Sequence, residues 1–493
     1  MKNYLILFLL IHCLSYFSNS EEINEISTLS DDIKFILNNK ELTEAQIGIE
    51  IWSVDENVKL FSQSSNKNFT PASLVKLFTS FGGLALLGDD YTYATNLYMN
   101  GIVKKSGEID GDLIVWSNGN PSHSGKFGKS ADDIFSSWTS SLDSLGVSSV
   151  NGSIIGDMTY FDQNKWPLGW SWDDLQYDFG AEVQALNFND NMSKIIVSGG
   201  ENPGSSARVK IIPDNSFIKI INNVITSDNK YISEVDFYRE FGSNVVELSG
   251  SVGFNRKIPV SKTLNIGIEN SGKYFLYNFR DYLLENNFII RGGDIVVDRG
   301  LGLDLSSLEL IDSRNSDSLG KIIGVMNKES VNLYAELLLK TIAKEKTGIG
   351  SFENGLDQIE KLLKKNGINT GFDLYDGSGL SRMNLLSPNA VIKLLSLAYN
   401  SKHKRIFMNS LARPGKNGTL KRRMNKTDAK NRIWAKTGSM THVSNICGYV
   451  ETESGEMLAF ALFFNNYSVS ASKIRDIQDL ICQRIASYNS SQK

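Results

Sequence analysis

The chain has 493 residues, 41% hydrophobic and 22% charged, an ordinary globular composition with length for two or three domains. Its 51 basic and 55 acidic side chains leave a net charge of −4, which argues against a nucleic-acid binder. Three cysteines and four histidines are little material for a disulfide scaffold, a zinc centre or a histidine triad, so neither metal nor cofactor is expected.

Lys2 precedes an apolar run from Tyr4 to about Phe17, and Ser18-Asn19-Ser20 places small residues before Glu21. Residues 1–20 read as a secretory signal peptide, too short to remain as a membrane span. Cys13 follows His12, where a lipid-attachment site wants a small residue, so no anchor is expected after the signal is removed. The low cysteine use suits a bacterial periplasm, with Cys447 and Cys482 either paired or left as buried thiols.

A short helix near Ser30–Asn38 leads into two strands, Ala45–Trp52 and Val58–Gln63. Thr70 then stands as a helix cap with Pro71 at the first helical position, ahead of an apolar run that Gly88 ends. Ser73 and Lys76, three apart, share one face of the first turn, where the helix end favours an alkoxide. A lysine takes a serine's proton only when neutral, a state that burial or a second cation produces. The same Ser-x-x-Lys spacing recurs at Ser64, Ser216, Ser227, Ser318 and Ser401, but only the Ser73 copy opens an apolar helix.

Residues 93–305 are rich in Gly, Asn, Ser and short strands such as Gly111–Trp116, Gly152–Tyr160 and Val245–Gly253. They are expected to form a mainly β insertion in two pieces, one nested at about residues 197–260. Beyond it, a helical pattern from Ser318 to Lys346 breaks near Asn327–Asn332, and a further helix spans Phe352–Asn366. The loop Asp376-Gly377-Ser378-Gly379-Leu380-Ser381-Arg382 precedes a helix beginning near Ser387-Pro388. Three strands close the chain, Ile433–Lys436, Val443–Glu451 and Met457–Asn465, followed by a helix with Ile474, Ile477, Ile481 and Ile485 on one face. Two strands at one end and three at the other predict one five-stranded antiparallel sheet built from residues 21–92 and 306–493. The fold class is then α+β, with the insertion between the two halves.

Serine acylation without histidine needs a lysine base, a second proton relay, and donors for a carboxylate and an oxyanion. S-x-x-K, S-x-N and K-T-G supply these in penicillin-recognising serine enzymes. All three occur here in that order: Ser73/Lys76, Ser330-Val331-Asn332 and Lys436-Thr437-Gly438. A second Lys-Thr-Gly begins at Lys346, but it ends a helix, where Gly348 reads as a cap. Lys436 ends a strand, whose edge suits an extended peptide.

The chain also resembles the D-alanyl-D-alanine carboxypeptidase/endopeptidase family of low-molecular-weight, class C penicillin-binding proteins (peptidase family S13). The stretches that carry the likeness are Pro71–Leu77, Gly152–Asp162, Trp166–Asn191, Met326–Glu336, Asp376–Arg382 with Ser387-Pro388, Gly418–Lys421, Ala435–Met440 and Gly448–Val450. Trp166-Pro-Leu-Gly-Trp-Ser-Trp-Asp-Asp-Leu175 is particularly specific, and a large insertion after the first motif is this family's habit.

The resemblance implies a penicillin-recognising serine transpeptidase/β-lactamase-like fold. It implies an enzyme that cuts peptidoglycan stem peptides and cross-links through an acyl-enzyme and is blocked covalently by β-lactams. Ser73 is then the nucleophile, Lys76 its base, Ser330 a proton relay, Asn332 a ligand of the substrate amide and Lys436 part of the proton network. Thr437 and Ser439 hold the terminal carboxylate beside Gly438, and backbone N–H groups of Ser73 and Ser439 form the oxyanion hole. Asp173 and Asp174 lie where the family keeps an acid near the cleft. Ser439-Met440 and Asn118-Gly119-Asn120-Pro121 depart from the family's usual residues without removing a catalytic group. The competing readings are a β-lactamase and a silent peptidoglycan-binding protein.

Overall fold

A computed structural model describes residues 28–255, 260–300 and 302–489, so the expected signal peptide lies outside the described residues. The central feature is a five-stranded antiparallel sheet in the order Ile433–Met440, Val443–Glu451, Met457–Asn465, Gln46–Ser53, Val58–Gln63. The two ends of the chain join where Gln46–Ser53 pairs with Met457–Asn465, Ile49 opposite Leu462. This is the sheet expected from the strand-like runs at both termini.

Successive strand residues point to opposite faces, and both faces of this sheet are covered. Ile446, Val450, Phe460 and Leu462 pack with Leu29, Ile33, Ile474, Ile477 and Ile481 of the terminal helices Leu29–Leu37 and Ala471–Ala486. Tyr449, Ala459, Ala461 and Phe463 face the other core, with helix Pro388–Tyr399. Because both faces are dry, Leu458–Phe464 is an unbroken buried apolar run. Behind it lie the helices Val75–Leu87, Leu319–Glu329, Asn332–Thr347 and Phe352–Lys365. Among the described residues no helix is long and apolar enough to cross a membrane. Cys447 and Cys482 are buried free thiols, one in each core.

The intervening segment carries a seven-stranded sheet built on Ala94–Val103 and Glu108–Ser117, a three-stranded sheet including Met192–Ser198, and a four-stranded sheet centred on Val245–Gly253. Two helices that its turn-rich composition conceals, Asp133–Ser144 and Ser271–Glu285, meet through an aromatic cluster. Phe135 stacks on Phe279 at 5.4 Å, and Trp138 meets Phe279 edge-on at 4.9 Å. Glu309–Asn315, assigned from sequence to the terminal half, pairs instead with Ala94–Val103. Its residues complete the edge of the seven-stranded sheet.

Candidate active site

The site forms where the turn ahead of Val75–Leu87, the junction of Leu319–Glu329 with Asn332–Thr347, and the edge strand Ile433–Met440 converge. Ser73 lies in a 3-10 turn, Ala72–Leu74, and the α-helix begins only at Val75. The expected Thr70 cap is not made. The Thr70 N–H donates to Asn465 Oδ1 at 2.8 Å, and the carbonyls of Thr70 and Pro71 accept from Asn445 Nδ2 at 2.9 and 3.0 Å. Two asparagines of neighbouring sheet strands thus hold the backbone that leads into the turn.

Ala72 has φ +48°, a costly conformation for a non-glycine residue that the surroundings must impose. Glycines press on this turn from two sides. A Cβ on Gly379 (φ +87°) falls 1.9 Å from Ala72 O, and one on Gly438 falls 2.6 Å from Pro71 O and 3.0 Å from Ser73 N.

Lys76 is fully buried. Its Nζ lies 3.1 Å from Ser73 Oγ, 2.6 Å from Asn332 Oδ1 and 2.7 Å from the Ser378 carbonyl oxygen. A neutral amine has two N–H groups and one lone pair. Two carbonyl-type oxygens take the N–H groups, which leaves the lone pair for the serine hydroxyl. Asn332 is oriented for this by its own Nδ2, which donates to Phe179 O at 2.9 Å. Burial lowers Lys76 from its ordinary value to about 7, while Asp376 and Glu336 act in the opposite direction.

Ser330 ends the helix Leu319–Glu329 at φ +59°. Lys436 Nζ donates to Ser330 Oγ and to Thr437 O, both at 2.8 Å. Burial first, and then the neighbouring Lys76, hold Lys436 well below an ordinary lysine, with the opposite strand's Cys447 pulling the other way. Among the other expected ligands, Thr437 Oγ1 bonds Thr419 Oγ1 at 2.8 Å, and Ser439 is exposed.

A cavity of about 310 Å³ is lined by Ser73, Ser330, Asn332 and Ser439 together with Asp174, Phe179, Arg382 and Met440. Asp174 is half-buried there, its carboxyl raised by burial and by Asp173, with Arg382 opposing. Asp173 is exposed and outside that lining, so the acid pair is split. His123, His403 and His442 take structural partners: Thr95, Asp89 and the Tyr467 carbonyl.

The S13 family model matches residues 29–488. The chain belongs to the D-Ala-D-Ala carboxypeptidase 3 (S13) family. It is 29% identical to the D-alanyl-D-alanine carboxypeptidase of Actinomadura sp. (strain R39) over 476 residues, 94% of this chain and 85% of that one. It is 27% identical to the penicillin-sensitive carboxypeptidase A of Dictyostelium discoideum over 98% of each chain. The crystal structure of penicillin binding protein 4 from Haemophilus influenzae matches with a TM-score of 0.79 at 23% identity, covering 93% of this chain and 100% of that one. The S13 family and penicillin-binding fold expected from the motifs are therefore those found.

Sequence reasoning passed over two buried acids beside Lys76. Glu336 stands one turn along the helix from Asn332, a spacing that places both on one face and was a usable signal. Its Oε1 accepts from Ser378 N at 2.7 Å and its Oε2 from Gly377 N at 2.9 Å. Burial and Asp376 raise Glu336 to about 8, while the Ser378 side chain, the Gly377 N–H and Lys76 oppose the rise. Asp376, also buried, accepts from Gly379 N (2.7 Å), Ser381 N (2.6 Å), Asn384 Nδ2 (2.8 Å) and Trp170 Nε1 (2.9 Å). The Trp-rich run of the insertion thereby docks on the loop that holds Lys76.

Proposed function

We propose that this S13 peptidase removes D-alanine from peptidoglycan stem peptides and cuts their D-alanyl cross-links through an acyl-enzyme on Ser73. The observation that carries this reading is the bonding of Lys76, whose two N–H groups are engaged while Ser73 Oγ remains at 3.1 Å. Lys76 takes the hydroxyl proton as Ser73 attacks the carbonyl of the penultimate D-alanine. The backbone N–H groups of Ser73 and Ser439 receive the oxyanion, an interaction whose loss typically costs about 10²–10³ in rate. Ser330, held by Lys436, returns a proton to the leaving amine, and water then releases the acyl group.

Thr437 and Ser439 bind the terminal carboxylate, Asn332 the substrate amide, and Asp174 the free amine of a diamino-acid side chain. Beta-lactams enter by the same attack, but their leaving group stays tethered. With the signal peptide expected at residues 1–20, the enzyme works beyond the cytoplasmic membrane, where this substrate lies. Incubation with a fluorescent penicillin tests the reading: one label per chain, lost slowly, with D-alanine released from a pentapeptide. Rapid turnover of the label identifies a β-lactamase, and absence of label identifies a silent binding protein.

A further inference from the structure

One peptide group connects Lys76 to a buried carboxylate. The Ser378 carbonyl accepts from Lys76 Nζ at 2.7 Å, and the N–H of the same peptide unit, on Gly379, donates to Asp376 Oδ1 at 2.7 Å. Charge at one end of such a chain strengthens the bond at the other, and the dry surroundings enlarge the effect. Asp376 cannot swing away from this peptide, because its other bonds to Ser381 N, Asn384 and Trp170 fix both oxygens. Gly379, Ser381, Asn384 and Trp170 all present N–H donors to it, and the Ser378 hydroxyl adds a longer bond at 3.5 Å.

Building on the acyl-enzyme reading, we propose that Asp376 is a positioning residue for the base. Through the Ser378–Gly379 peptide it fixes the acceptor that directs the Lys76 lone pair at Ser73, and its negative charge keeps that amine basic despite burial. Burial makes Lys76 a weaker base, whereas Asp376, seconded by Glu336 on the Ser378 N–H, makes it a stronger one. The other titratable or charged groups around this centre are the buried Cys447 thiol beside Lys436, Lys340 near Glu336, and Asp174 and Arg382 at the cleft. Trp170 gives the insertion a direct hold on this device, since its indole N–H binds the same carboxylate.

Removing the negative charge weakens the base, so the acid limb of the acylation profile moves to lower pH. A role confined to holding the fold gives no such displacement. The experiment measures acylation by a chromogenic β-lactam against pH in wild type, Asp376→Asn and Glu336→Gln, with melting temperatures recorded alongside. The expected result is a midpoint lowered by about one pH unit in Asp376→Asn, the usual scale for a close charge, and little displacement in Glu336→Gln, whose acid, raised to about 8, is largely neutral near that midpoint. Where Asp376→Asn does not fold, Trp170→Phe decides: it removes one donor that fixes the Asp376 carboxylate and leaves the charge in place, so acylation should slow with little change in melting temperature. A folded Asp376→Asn whose midpoint stays in place or rises, or a Trp170→Phe that acylates as fast as wild type, overturns the proposal. Wild-type enzyme that fails to acylate overturns the functional reading instead, so the two failures are distinct.

Discussion

Lys-Thr-Gly occurs twice, and the two copies have little in common beyond their letters. Lys346-Thr347-Gly348 closes the helix Asn332–Thr347, with Gly348 at φ +80° and its N–H bonded to Lys344 O. Lys346 is exposed. Lys436-Thr437-Gly438 lies on the outer strand of the five-stranded sheet, where Lys436 is fully buried and its Nζ is 2.8 Å from Ser330 Oγ. Thr347 Oγ1 bonds Ala343 O in its own helix, whereas Thr437 Oγ1 reaches Thr419 on a separate segment. A motif becomes chemistry here only where the fold removes water from the cation and supplies a hydroxyl beside it.

The largest effect is expected at the residue both readings of the cleft depend on. Ser73→Ala should abolish covalent penicillin labelling and leave the melting temperature nearly unchanged; mass spectrometry that finds the adduct on another serine breaks the assignment. The two Lys-Thr-Gly copies are compared directly by Lys436→Ala and Lys346→Ala. The first should slow acylation by about 10²–10⁴-fold, the range of a lost acid–base group, and the second by no more than about twofold. Equal losses in stopped-flow acylation erase the distinction between them.

A smaller effect is expected from Gly379→Ala. The added methyl meets Ala72 O at 1.9 Å in a backbone of φ +87°, so the turn carrying Ser73 must shift. Strain of this kind costs about 1–3 kcal/mol. The variant should melt at lower temperature and acylate more slowly, and an unchanged melting curve and rate would show that the turn is less constrained than these contacts require.

Much of this was legible. The isoleucines of Ala471–Ala486 repeat at helical spacing, and the unmatched strands at both termini could be satisfied only by each other. The order of the three motifs marked Ser73, Ser330 and Lys436 before any geometry was known. What stayed hidden depends on contacts distant in sequence. The turn at Ser73 is held by Asn445 and Asn465, more than 370 residues away, so its local Thr-Pro signal pointed to an ordinary capped helix. Asp133–Ser144 is rich in serine, a poor signal for a helix, and declares itself only through Phe135, Trp138 and Leu142 buried along one side. Asp376 read as a loop residue because its donors include an indole from the insertion.

The finest distinction is whether Lys436 acts on Lys76 as a charge or only as a ligand of Ser330 and substrate. Lys76 accepts the serine proton only when neutral, so acylation should rise with pH about a midpoint near 7. Burial is the first cause of that low value, and it survives any change at position 436. The two lysines nonetheless repel, and the protons of such a pair come off in steps that belong to both residues. Lys436→Gln removes a cation that disfavours charged Lys76, so Lys76 holds its proton more tightly and the limb moves to higher pH. With burial dominant, the displacement should be less than about one pH unit, and salt should hardly alter it because the pair is buried. The measurement is the pH dependence of acylation by a chromogenic β-lactam in wild type and Lys436→Gln, plateau and midpoint fitted separately. A lowered plateau with an unmoved midpoint means that desolvation and the two acids set Lys76 between them, and that Lys436 serves only to hold Ser330 and the substrate.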